Sequence, residues 1–193
     1  SELRTSRRYA QKSQDKLHKV SYKKRKEILT SLAKSYLSDQ QIVEAVIKIK
    51  GTPIKDIKKG VAKINEWVLN LDRFIEVVLG SVDNFEDGQK ISIDGKEIAR
   101  KVYKPGGVSA IILSRNMEAY EQFYVLAQGI LSCNHLIVRA STGDVATYDF
   151  FRALDRANAK DFAQLIYFSS EKGFDLVRSL LEQTKQSIVF ASD

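Results

Sequence analysis

With 193 residues, 44% of them hydrophobic and 28% charged, the chain can bury a sizeable core in one domain with an appendage, and its composition excludes a disordered or fibrous protein. No apolar run approaches the roughly 20 residues of a membrane helix and the first residues carry no apolar signal core, so a cytoplasmic protein is expected; the single cysteine, Cys133, excludes an internal disulfide, and His18 and His135 make no metal pair at a useful spacing. The net charge of +7 is crowded into the first 26 residues, where Arg4, Arg7, Arg8, Lys12, Lys16, Lys19, Lys23, Lys24, Arg25 and Lys26 fall among few acids; with Tyr9 and Tyr22 as its sole aromatics the run has no interleaving that suggests base stacking, so it reads as a solvated helix face, and nucleic acid is not an expected partner.

Residues 3–19 are compatible with a helix but only weakly amphipathic, an arm that frays or docks elsewhere. Ser21 caps a clearer helix whose stripe is Ile28, Leu29, Leu32, Ala33, Tyr36 and Leu37, with Lys23, Lys24 and Lys26 facing away. Ser38 with Gln41 reads as the capping box of a third helix carrying Ile42, Val43, Val46 and Ile47, which Gly51 ends. Thr52 as N-cap and Pro53 in the first turn open one long helix through Ile57, Ile64, Trp67 and Leu71 to about Leu79, with Gly80 as its stop and Trp67 in the core. At about 1.5 Å per residue it would span roughly 40 Å.

Residues 90–103 alternate around Asp94 and Gly95, a pair suited to a type I′ turn, and predict a hairpin. A two-stranded ribbon is marginal alone, so it is expected to lie against another domain or subunit. Beyond Pro105 the pattern becomes strand, helix, strand: strands near 108–113, 135–139, 164–168 and 187–190, helices near 117–132, 143–157 and 172–184. The fold class is therefore α/β: a Rossmann-like parallel sheet with flanking helices (105–193), an N-terminal helical segment (1–80) and a protruding hairpin (88–104). A strand at the end of the chain leads to the expectation of a truncated protein whose sheet continues.

In such folds ligands bind where the strands end. Asn116 follows a strand, where its amide either donates to a developing oxyanion or caps a helix starting at Met117. Arg139 ends the next strand and precedes Ala140, Ser141, Thr142 and Gly143, a small-residue turn that receives a ribose or phosphate, or else is a surface arginine beside an ordinary cap. Neither GxGxxG nor GxxxxGK[ST] occurs. Cys133, at a helix C-terminus, lacks the neighbours that stabilise a thiolate and reads as a buried structural residue.

Together these stretches resemble the N-terminal, cofactor-binding half of the aldehyde dehydrogenase superfamily, over about residues 21–193. Ile49-Lys-Gly-Thr-Pro-Ile-Lys-Asp56 is similar to E-T-G-K-P-L-x-E, and Pro105-Gly-Gly-Val108 with Ile111-Ile-Leu-Ser-Arg-Asn116 is similar to P-x-G-V and I-x-P-W-N. Ser132-Cys-Asn-His-Leu-Ile-Val-Arg-Ala-Ser141 resembles A-G-N-x-V-V-L-K-P-S, so that Cys133 matches a glycine, and Phe190-Ala-Ser-Asp193 resembles F-T-G-S.

The resemblance implies that Asn116 helps hold the oxyanion of a cysteine thiohemiacetal, and that the nucleophilic cysteine and the general base lie outside this sequence, leaving it inactive alone. It implies NAD or NADP as cofactor, lying along Ile112, Leu113, Ser114 and Arg115, with Arg139 in place of a ribose-binding lysine, Ser141 beside it, Thr142 in place of a glutamate, and Phe190 and Ser192 at the last strand's end. Losing that glutamate removes a repulsion against a 2′-phosphate. Ser114 and Arg115 replace Pro-Trp, and Ser192 and Asp193 replace Gly-Ser. The implied substrate is an aldehyde and the implied assembly a homo-oligomer joined through the hairpin. Two alternatives stand beside this: an acyl-phosphate or acyl-thioester reductase such as gamma-glutamyl phosphate reductase, to which Ser114, Arg115 and Arg139 bear more likeness, and a non-catalytic scaffold with a degraded cofactor site.

Overall fold

In the computed structural model, which describes residues 2–141, 143–167, 173–184 and 186–190, the chain opens with helices α1 (Glu2–Leu17), α2 (Tyr22–Ser35), α3 (Gln40–Lys50), α4 (Ile54–Leu69), α5 (Leu71–Leu79) and α6 (Val82–Glu86). The Ser21 hydroxyl accepts the Lys24 N–H at 3.2 Å, the cap the sequence calls for. Two other caps move by one residue: Asp39, not Ser38, caps α3 by accepting from the Gln41 N–H, and Pro53 is the N-cap of α4, leaving the Thr52 hydroxyl to bond Glu118 at 3.3 Å.

The single long helix expected over 54–79 is in fact two, α4 and α5. The break falls at Asn70 (φ −99°, ψ 15°), whose side-chain amide donates to the Glu66 carbonyl at 2.8 Å and so competes for a helical acceptor. The short α6 was not anticipated; Ser81 caps it through the Asn84 N–H.

The hairpin joins β1 (Gln89–Ile93) to β2 (Lys96–Lys101), and positive φ at Asp94 (50°) and Gly95 (76°) matches the expected turn. Both strands are exposed along their whole length, Ile91, Ile93 and Ile98 included, so the described residues leave the ribbon uncovered.

Four strands, β3 (Ser109–Ile112), β4 (Leu136–Arg139), β5 (Ala163–Ile166) and β6 (Gln186–Val189), form a parallel sheet in the order β5-β4-β3-β6. Helices α7 (Ala119–Leu131) and α8 (Val145–Arg156) follow β3 and β4, and α9 (Gly173–Gln183) precedes β6. Alternation along the strands separates two cores. Ile111, Leu113, Leu136 and Val138 pack under α2, α4, α7 and α8, while Ala110, Ile112 and Ile137 meet Ala10 of α1 and Leu180 of α9 on the other face. The close approach of α7 to β4 depends on Gly129, where an added Cβ would lie 2.5 Å from the Leu136 side chain.

α1 is docked. Gln14 donates to the Cys133 carbonyl at 2.8 Å and accepts the His135 N–H at 2.6 Å, while the Tyr9 ring stands edge-on to His135 at 5.9 Å. The basic run is not wholly a solvated face either. Arg25 turns inward, its guanidinium 4.8 Å from the Phe85 ring and bonded to the Leu131 carbonyl and Glu86.

His135 is fully buried, with Nδ1 2.6 Å from the Asp161 carbonyl and Nε2 without a hydrogen-bond partner among the described residues. Burial holds its pKa below the usual imidazole value. The unfolded chain therefore takes up a proton first as pH falls, and stability present above about pH 6.5 declines below it by up to ~1.4 kcal/mol per pH unit until the folded state also protonates. Denaturant titrations between pH 7.5 and 5 should show that slope in the native protein, and His135→Gln should flatten it.

Candidate functional site

The sheet reverses its winding between β3, followed by α7 and β4 on one side, and β6 on the other, which puts the topological switch point at the carboxyl ends of β3 and β6. The loop leaving β3 carries Ser114, Arg115 and Asn116, and the loop leaving β4 carries Ala140 and Ser141. These strand ends are level: Ile112 is paired with Arg139 across one ladder and with Val189 across the other, and the Phe190 N–H donates to the Ile112 carbonyl at 3.0 Å.

Of the residues singled out in the sequence, Arg115, Asn116 and Ser141 come together along one cavity of about 260 Å³, joined there by Lys50, Thr52, Glu118 and Asp144. That volume falls short of the roughly 300–1,000 Å³ typical of small-molecule sites. Ile112 and Leu113 give their side chains to the two cores and offer a ligand only main chain. Ser114, Arg139 and Phe190 are half-buried at the neighbouring strand ends. Thr142 and Ser192 lie outside the described residues.

Asn116 does not cap a helix. α7 begins at Ala119 after Glu118, whose N–H donates to the Glu121 carboxylate at 2.9 Å, so the exposed Asn116 amide stays free of that role on the cavity wall.

Cys133 sits at the end of α7 with φ 60°, its N–H donating to the Ile130 carbonyl and the Asn134 N–H to that of Gly129, a Schellman turn in which glycine is the usual occupant. Its thiol is buried against the Leu17 carbonyl at 2.9 Å, and burial pushes its pKa up, the opposite of what a nucleophile needs.

Three cavity residues escaped the reading of the sequence: Lys50, Glu118 and Asp144. Asp144 caps α8 through the Thr147 N–H at 3.3 Å and accepts from the Gln122 amide at 2.7 Å. The Lys50 ammonium lies 3.7 Å from the same carboxylate. Lys48 and Lys50 in the last turn of α3 carry no signal that one of them turns inward; only the Asp of a capping position at 144 was visible in principle.

A second concavity, about 550 Å³, opens between α4, α5 and α7 and is lined by Trp67, Phe74, Val77 and Tyr124. Trp67 thus serves both surfaces, half-buried against the core and 5.4 Å edge-on to Tyr124 at the groove. Among the described residues no group of three or more His, Cys, Asp or Glu could hold a metal ion, and no helix is long and apolar enough to cross a membrane.

A parallel, doubly wound sheet with its cavity at the strands' carboxyl ends defines a Rossmann-like α/β protein. Its particular fold, with the helical segment and the hairpin, is that of aldehyde dehydrogenases. The chain superposes on an aldehyde dehydrogenase from Bartonella henselae with a TM-score of 0.74 at 15% identity, covering 97% of this chain and 43% of that one. It does so on succinic semialdehyde dehydrogenase from Streptococcus pyogenes in complex with NADP⁺ (TM-score 0.71, 14% identity, 97% and 45% covered). A third is glyceraldehyde-3-phosphate dehydrogenase from Methanocaldococcus jannaschii complexed with NADP (0.68, 16%, 100% and 46%). The chain spans less than half the length of these proteins. No protein-family model and no curated protein matches the sequence.

Proposed function

We propose that the chain is the cofactor-binding half of an NAD(P)-dependent aldehyde dehydrogenase-type oxidoreductase. The observation that carries this reading is the fold likeness over 93–100% of the chain to dehydrogenases, some of them complexed with NADP. The residues present fit a dinucleotide in kind: main chain at Leu113 to Arg115 along the strand end, Arg139 for a ribose hydroxyl or 2′-phosphate, Ser141 beside it, and Phe190 at the far side of the switch point. Bound NAD(P)⁺ would supply the hydride acceptor.

The chain's own residues bind and orient. Asn116, exposed on the cavity wall, donates its amide to the oxyanion formed when a thiol adds to an aldehyde. Cys133 is not that thiol, because it is buried, bonded to main chain and protonated. The nucleophile and base then belong to sequence beyond this chain, which has no turnover by itself. The uncovered hairpin is the surface through which copies associate.

One observation favours the acyl-phosphate reductase as a second reading: Arg115 stands exposed beside Asn116 and adds a cation where a phosphate leaving group would be held.

Calorimetric titration with NAD⁺ and NADP⁺ tests the main reading. Arg139→Ala should weaken binding about ten-fold or more, a loss of roughly 1.4 kcal/mol, with NADP⁺ suffering more than NAD⁺. Equal affinity in the variant and the native protein would remove Arg139 from the site.

A further inference from the structure

Three segments far apart in sequence wall the carboxyl-edge cavity: the end of α3, the loop after β3 and the loop after β4. The β3–β4 ladder levels the starts of the two loops at Ile112 and Arg139, but it does not hold their far ends at Met117 and Asp144, nor α3. Lys50 reaches both loops at once. Its Nζ donates to the Met117 carbonyl at 2.6 Å and lies 3.7 Å from Asp144 Oδ1, with 11% of the lysine side chain and 1% of the aspartate side chain exposed. The carboxylate in turn accepts from the Gln122 amide at 2.7 Å, and the Thr147 hydroxyl donates to the Gln122 Oε1 at 3.1 Å. Among the described residues no other salt bridge reaches Asp144.

From this geometry we propose that Lys50 is a positioning residue for the proposed site: its ammonium clamps the β3 and β4 loops together and thereby fixes where Asn116 presents its amide. The Met117 carbonyl belongs to the peptide unit directly after the one joining Asn116 to Met117, so holding it fixes the plane on which the Asn116 loop turns. A buried carboxylate without its cation would draw in water or swing outward, and the loop at Ser141 would follow. This deepens the functional reading above and depends on it only for the nucleotide measurement below.

The test compares the native chain with Lys50→Met, Lys50→Arg and Lys50→Met/Asp144→Asn by amide hydrogen exchange and by calorimetric titration with NAD⁺ and NADP⁺. Lys50→Met should speed exchange at least ten-fold at the amides of 115–122 and 144–148, leave α2 amides unchanged, and weaken nucleotide binding at least five-fold. Lys50→Arg should restore both to within about two-fold. The double variant should recover melting temperature while loop protection and affinity stay lost, because neutralising Asp144 does not rebuild the clamp.

If the double variant also recovers protection and affinity, Lys50 merely balances charge and the proposal is overturned. Unchanged loop exchange in Lys50→Met overturns it as well, whether or not nucleotide binds. If the native chain binds neither nucleotide, the functional reading fails while the exchange result still decides the clamp. Should Lys50→Met fail to fold, Lys50→Gln carries the same measurements.

Discussion

Replacing Tyr36 with alanine should cost the folded state about 3–5 kcal/mol, the range for deleting a large buried aromatic side chain. Tyr36 is 1% exposed and stands where three helices meet: its ring centroid is 5.2 Å from that of Phe123 in α7 and 6.2 Å from that of Phe150 in α8, and it closes α2 as the C-cap residue. Its hydroxyl donates to the Ala119 carbonyl at 2.8 Å, in the first turn of α7. Burial drives the phenol pKa far above its ordinary value, so the group stays a donor at any working pH. Tyr36→Phe isolates that hydrogen bond and should cost about 1 kcal/mol. Guanidinium unfolding with an unchanged slope and a shifted midpoint would read both numbers. A loss below 1 kcal/mol for the alanine variant would mean that the α2–α7–α8 junction is not packed as described.

Asp144→Ala should cost about 3 kcal/mol. It strips the Lys50 ammonium of its carboxylate, leaves the Gln122 amide short of its 2.7 Å acceptor and removes the side-chain cap of α8 at the Thr147 N–H. Removing one member of a buried pair typically costs about 3–5 kcal/mol and loss of a cap about 0.5–2. The 3.7 Å separation and the Met117 carbonyl that remains for Lys50 keep the sum at the lower end. Asp144→Asn, which keeps one acceptor oxygen for the Thr147 N–H or the Gln122 amide, should fall between the native protein and the alanine variant in denaturant midpoint.

Much of the sheet was legible because strands buried on both faces carry mostly apolar runs: residues 108–113, broken only by Ser109, and 135–139, apolar at Leu136, Ile137 and Val138, contain β3 and β4 to within a residue or so at each end. The break at Asn70 was not, since Leu71 and Ile75 prolong the stripe of α4 and periodicity cannot register a turn that keeps the same face inward. Arg25 was misleading for a related reason. A charge inside a run of lysines looks solvated, and only the fold brings Phe85, Glu86 and the Leu131 carbonyl to it.

At the site the pattern was similar. Asn116, Arg115 and Ser141 follow strands and could be placed at the carboxyl edge from the alternation of elements alone. Lys50 and Glu118 enter through tertiary packing of α3 and through the start of α7, which the sequence places two residues too early. The docking of α1 likewise depends on Gln14 meeting main-chain groups at Cys133 and His135, a match that hydrophobic periodicity does not encode.

The most direct test of the central claim, that the carboxyl edge at the β3/β6 switch point binds a nicotinamide dinucleotide, is amide hydrogen exchange with and without saturating NAD⁺ or NADP⁺. Protection concentrated at residues 113–116 and 139–141, with the aromatic groove at Trp67 and the hairpin unchanged, is the predicted result. Exchange unaltered by either nucleotide, or protection confined to the hairpin or the groove, would contradict it.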